Sequence, residues 1–179
     1  MKKLIIISFL LTIQQSIFAQ LGQFTGEFTL PEIALIRIEP DNSDISLSLD
    51  LPGEAGSMNL STVLPTAKRI IYTSALPLLA TRKITAEKTY GTIPAGTKFY
   101  LVVYNSSTGS GELGVGLGEV EIPQTGQVDI ISNIGSSFTG TGSESGHAID
   151  YKLDVTNMSQ LKSTDSGNIG ITFTIIENI

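Results

Sequence analysis

Near the end of the chain Ile169, Ile171, Phe173 and Ile175 alternate with Gly170, Thr172 and Thr174. Near its start Ile45, Leu47, Leu49 and Leu51 alternate with Ser46, Ser48 and Asp50. A period of two places all the apolar side chains on one face of an extended chain, an arrangement a helix cannot reproduce. Similar β-branched runs occupy 69–74, 82–88, 98–104, 118–122, 127–133 and 148–155. Turn formers separate them: Pro52-Gly53-Glu54-Ala55-Gly56, Pro77, Pro94-Ala95-Gly96, Pro123 with Gly126, and the Gly/Ser/Thr tract 135–146. Proline presets one dihedral of a turn and glycine accepts the positive φ that many turns require. About nine short strands at this spacing predict an all-β fold, a single antiparallel β-sandwich of immunoglobulin-like or pilin-like kind. Only 157–161 reads as a turn of helix.

The first residues obey a different rule. Lys2 and Lys3 precede an apolar run from Leu4 to Ile13, and the small residue Ala19 stands just before Gln20. That is the pattern of a secretory signal peptide over residues 1–19, and its apolar core is too short for a permanent membrane span. The expected destination is secreted or periplasmic, with the cell surface beyond. No long apolar run follows, so no stable membrane insertion is expected after cleavage. Residues 20–30 then form a strand-like extension and residues 31–179 one sandwich domain.

The net charge of −6 becomes −8 once Lys2 and Lys3 leave with the leader. An acidic chain with no basic stripe excludes nucleic acid as an expected partner. There is no Cys, although an exported protein could form disulfides, so stability must come from packing and strand pairing. Without Cys and with one His, thiol chemistry and ordinary zinc sites are also excluded.

Three patterns invite chemistry. Gly109-Ser110-Gly111-Glu112-Leu113-Gly114 is formally G-x-G-x-x-G, but a dinucleotide site needs a helix N-terminus next. The glycine-broken, β-like continuation reads instead as a glycine-rich hairpin loop, and no cofactor is expected. His147 has Ser145 and Asp150 nearby in sequence, but no Ser carries a G-x-S-x-G elbow. At the start of a strand, it reads as a polar loop residue, and the chain as not an enzyme. Glu39, Asp41, Asn42 and Asp44 gather oxygen ligands of the type a hard cation accepts, which makes them a calcium candidate. They lack EF-hand spacing, and the same residues suit a tight turn after Pro40.

The segment leading into the domain alternates too. Phe24, Gly26, Phe28, Leu30, Ala34, Ile36 and Ile38 share one parity, with Glu32 the exception. Pro31 cannot donate a ladder bond, so it divides this stretch into a core strand after it and an extension before it. Phe24, Phe28 and Leu30 are the residues expected to make contact with a partner. An exported sandwich with such an extension resembles the subunits of bacterial fimbriae, in which an extension completes a neighbour's sheet by strand addition. The chain lacks the Cys pair and the near-terminal aromatic that many such subunits carry.

"LPEIALIRIEP", "IPAGTKFYLVV", "GEVEIPQTGQVDIISNIGSSFTGTGSESGHAIDYKL" and "ITFTIIEN" also resemble a group of small exported β-sandwich proteins of Gram-negative bacteria. That group has no established activity, so the resemblance implies fold and compartment alone. The expected function is structural or adhesive, in its most specific form a fimbrial-type subunit that pairs with copies of itself or related subunits. The alternative is a glycan- or ligand-binding module using loops 106–118 and 135–147 at one end of the sandwich.

Overall fold

The structure, a computed structural model, describes residues 28–49, 53–58, 60–162 and 168–178. The expected leader over 1–19, most of the expected extension over 20–30 and Phe24 lie outside the described residues. Two compact units divide at Leu30 and Pro31. In the first, Phe28 and Leu30 are exposed and in no strand.

The second unit is all-β, one open antiparallel sheet of ten strands that folds over itself in a sandwich-like manner. They are β1 (Ile33–Glu39), β2 (Ser61–Leu64), β3 (Arg69–Ala75), β4 (Arg82–Tyr90) and β5 (Thr97–Val103), followed by β6 (Ser110–Gly116), β7 (Gly118–Glu121), β8 (Gln127–Phe138), β9 (His147–Val155) and β10 (Gly170–Glu177). The expected helical turn is a short 3₁₀ helix, Met158–Gln160, capped by the Asn157 side chain on the Ser159 N–H.

Three places where the chain changes partner define the architecture. β3 and β4 lie end to end along one edge of β8, both antiparallel to it, while β6 takes the other edge. On the far side of that line β1 pairs with β3 and β10 pairs with β4. Ile33 opposite Ala75 and Glu177 opposite Arg82 therefore bring the start of the domain and its end to the same break, residues 76–81. β9 begins on β3 and then passes to a second layer, where it pairs with β5 and β2. β6 and β7 make the same crossing from β8 to β5 at Gly116-Leu117-Gly118. Such strand switches turn the corners of a folded sheet.

The core lies between the layers. Ile70, Ile84, Ile130, Ile131 and Ile134 from one layer meet Leu101 and Ile149 from the other, all with no exposed surface. Ile36, Ile38, Ile171, Phe173 and Ile175 face the same core from the outer strands but are only half-buried. β1 is thus a less deeply buried strand than its apolar pairs at 33–36 suggest, because it lies at the edge and leaves Leu35 64% exposed.

The expected strand over 45–51 is not a ladder in its described part. Residues 45–49 keep the alternation, with Ile45 and Leu47 against the core, but belong to no strand. Two strands escape the pattern altogether: β2, and β6, which occupies the supposed glycine loop. Gly111 (φ 88°) and Gly114 (φ 73°) let β6 bulge against β8. A Cβ on Gly111 would stand 2.2 Å from the Ser136 carbonyl oxygen. β8 likewise runs on to Phe138, through the start of the tract read as a break.

Candidate functional site

The strongest correction concerns His147. It is fully buried at the first position of β9, not a polar loop residue. Nδ1 lies 2.8 Å from the Tyr104 carbonyl, and Nε2 lies 3.2 Å from both the Leu113 carbonyl and the Tyr72 hydroxyl. The Tyr72 hydroxyl also donates to the Leu113 carbonyl, and its ring stacks on the imidazole at 5.8 Å between centroids. A neutral imidazole has one N–H, and the shorter contact assigns it to Nδ1; Nε2 then accepts from the Tyr72 hydroxyl alone, whose single proton it shares with the Leu113 carbonyl. Burial holds His147 below the ordinary histidine range despite the two carbonyls, and burial alone lifts Tyr72 well above the usual phenol range. The node joins β3, β6, β9 and the segment after β5. It is a polar pin through the core, with both ring nitrogens engaged.

The neighbours of a hydrolytic site work elsewhere. Ser145 Oγ accepts from the Gly142 N–H within its own turn. Asp150 accepts from the Thr66 N–H and the Tyr104 hydroxyl. The Gly109–Gly114 motif runs into strand β6, which strand β7 follows, so it offers no helix N-terminus to a pyrophosphate.

The calcium candidates are not brought together as a ligand set. Glu39 pairs with Arg37 on the same face of β1. Asp41 is held by Ser43, whose side chain and N–H lower its carboxyl to about 2, and by Lys68. The Lys68 ammonium donates to the Asp41 carbonyl (3.0 Å), its carboxylate (3.3 Å) and Ser43 Oγ (3.2 Å). With the loop after β1 it lines an open surface groove of about 310 Å³ that reaches Leu64 and Thr66. A lysine thus takes the place a cation would need, while Asn42 and Asp44 are exposed. Among the described residues no group of three or more His, Asp or Glu side chains is arranged to hold a metal.

The two loops expected to bind ligand do converge. Thr108 Oγ1 donates to the Thr139 carbonyl and accepts from the Gly146 N–H, tying 106–109 to 139–146. Arg69 pairs with the exposed Glu144 across the same end.

The last feature is the anchoring of the chain just behind the extension. Arg82, 5% exposed, donates to the Ile33 carbonyl and the Glu32 carboxylate, and to Ser74 Oγ (3.3 Å) and the Ala75 carbonyl (3.4 Å). Its planar fork carries five N–H donors, so one guanidinium reaches several acceptors at once. From the other side the Asn178 N–H bonds the Thr81 carbonyl at 2.9 Å. Phe28 and Leu30, two of the three expected contact residues, are 92% and 93% exposed. Sequence reasoning missed Arg82: a basic residue at a strand start gives no sign that it is buried.

No helix of the described residues is long and apolar enough to cross a membrane. Comparison with family models, curated proteins and solved structures gave no match.

Proposed function

We propose that the chain is an exported, non-enzymatic structural or adhesive β-sandwich protein that assembles by strand addition through residues 20–30, in the manner of a fimbrial-type subunit. One observation carries the reading: two large apolar side chains of an alternating segment, Phe28 and Leu30, stand almost wholly exposed immediately before β1. Exposed aromatic and aliphatic residues in an extended, pairable segment are characteristic of strand-addition partners. The Arg82 cluster supports it, because it fixes Glu32 and Ile33 and so holds the domain end of the extension still.

The test is the concentration dependence of molar mass by light scattering for the wild type and a Phe28→Ser/Leu30→Ser variant. The wild type should associate and the variant should not, with unfolding midpoints equal at concentrations where both are monomeric, because neither side chain is buried. A wild type that stays monomeric throughout, or a variant that associates equally well, ends the proposal.

Glycan binding is a second reading, supported by the convergence of loops 106–109 and 139–146 at one end. A glycan array with no signal above background would remove it.

A further inference from the structure

The break at 76–81, between β3 and β4, carries an apolar tip. Pro77, Leu78 and Leu79 are exposed in succession, Leu78 at 91% and Leu79 at 93%. Among the described residues of the second unit no other large apolar side chain exceeds 65%. The stretch from Ile70 to Thr81 contains no charged residue. A turn that faces only water ordinarily draws on Gly, Asn, Asp or Ser.

The backbone at the tip is strained. Among the described residues, Leu79 (φ 68°) and Asn133 are the two positions other than glycine with positive φ. The Ala80 N–H bonds the Pro77 carbonyl at 3.2 Å, so Leu79 is the third residue of a tight turn. Positive φ at that position normally selects Gly or Asn. A leucine there adds strain and gains almost no burial in return. Strain held at a residue 93% exposed points to a role outside the fold.

Both feet of the tip are fixed. Ser136 Oγ accepts from the Leu76 N–H (3.0 Å) and donates to the Leu76 carbonyl (3.3 Å). Arg82 donates to the Ala75 carbonyl at 3.4 Å, and the Asn178 N–H to the Thr81 carbonyl at 2.9 Å. The two leucines are therefore presented on a braced turn.

Area and charge decide what such a tip meets. Two leucine side chains offer on the order of 200 Å² of apolar surface, against about 800 Å² per partner in a stable protein interface. A convex tip also needs a matching hollow in a protein partner. The boundary of a bilayer yields to an apolar shape, and binding there scales with the apolar area buried. With no cation between 70 and 81 and a net charge of −6, the chain has nothing to draw it to anionic lipid. Pro77 brings no N–H that would have to leave water.

We propose that the Leu78-Leu79 tip is a lipid contact that seats the domain on a bilayer surface of no net charge, one of zwitterionic phospholipid. It is a surface contact through a turn, not a span, and it stands independently of the strand-addition reading.

Flotation of the full chain, as purified from the expressing cell, with phosphatidylcholine vesicles tests the contact. The wild type should float with the vesicles, and Leu78→Ser/Leu79→Ser should bind about a hundredfold more weakly, about tenfold for each leucine. Leu79→Asn, which suits the positive φ, should weaken binding about tenfold yet unfold at no lower a midpoint than the wild type, separating lost contact from lost fold. Leu35→Ser, at a 64% exposed position of β1, should float as the wild type does. Equal flotation of the wild type and Leu78→Ser/Leu79→Ser, or an equal loss in Leu35→Ser, would overturn the tip. Replacing part of the lipid by phosphatidylglycerol should weaken binding, and tighter binding would overturn the neutral surface. A wild type that does not float would overturn the bilayer. If it then self-associates in lipid-free buffer and Leu78→Ser/Leu79→Ser does not, the occupant is a second copy instead.

Discussion

At the scale of single residues, His147 governs how the fold answers to acid. Its ring lies among carbonyls and a phenol with no carboxylate among its hydrogen-bond partners, so the neutral form is the one the core accommodates. The folded pKa lies below the unfolded value of 6.5. The unfolded chain therefore binds the extra proton first as pH falls. The contribution of this group is fully present above about pH 6.5 and is lost below it, at no more than about 1.4 kcal/mol per pH unit for one proton. Urea unfolding midpoints of the wild type should accordingly be flat from pH 8 to 7 and fall between 6.5 and 5. His147→Gln should be less stable at pH 7 but lose the fall over that interval. An equal fall in the variant would show that other groups set it. This behaviour could not be foreseen from the residues around His147, which are Gly, Ser and Ala. The partners that bury it, Tyr72, Tyr104 and Leu113, come from three distant stretches.

Among the elements, the pattern of two identified most of the strands, because it reports which side chains face a core. It could not report backbone partners. Residues 45–49 show the difference: Ile45 and Leu47 reach the core as the alternation requires, but no neighbouring strand completes a ladder there. β6 failed in the opposite sense. Its glycines read as loop formers, yet they serve a strand that needs positive φ to bulge against β8. Gly111 and Gly118 separate the two costs this imposes. Both have positive φ, but a Cβ on Gly118 meets nothing within 4 Å, whereas on Gly111 it meets the Ser136 carbonyl oxygen at 2.2 Å. Gly118→Ala should cost about 1 kcal/mol for the backbone alone. Gly111→Ala should cost about 2–4 kcal/mol, as strain and a displaced ladder add to that. Denaturant melts of the two variants decide it, and equal losses would mean that β6 can shift off β8 at no cost. The candidate site was legible to the same extent. The alternation marked Phe28 and Leu30, which are exposed, while the Arg82 acceptors behind them are mostly backbone carbonyls that no side-chain pattern encodes.

For the whole molecule, the decisive geometry is that the first and last strands end at one place. Without a disulfide to tie them, β1 and β10 are held at residues 76–81 by Arg82 from one side and Asn178 from the other. Edge strands with half-buried inner faces have less packing to keep them in place than β5 or β8, so hydrogen bonds at their ends matter more. Replacing Arg82 by Met keeps much of the apolar stem but removes the donors to Ile33, Ala75 and Glu32. The carbonyls left without partners should cost about 2–3 kcal/mol in global stability. The loss should also be uneven. Amides of β1 should exchange through a local opening well before those of β5, because among the described residues β1 pairs only with β3 while β5 is paired on both sides. Native-state hydrogen exchange of Arg82→Met, set beside Glu32→Gln, gives the comparison. Glu32 is half-exposed and its ion pair is partly screened, so its variant should lose less than about 1 kcal/mol and leave β1 closed. If β1 and β5 open together in Arg82→Met, the arginine is a general core residue. If β1 opens alone, it is the latch that holds the start of β1 to the break at 76–81.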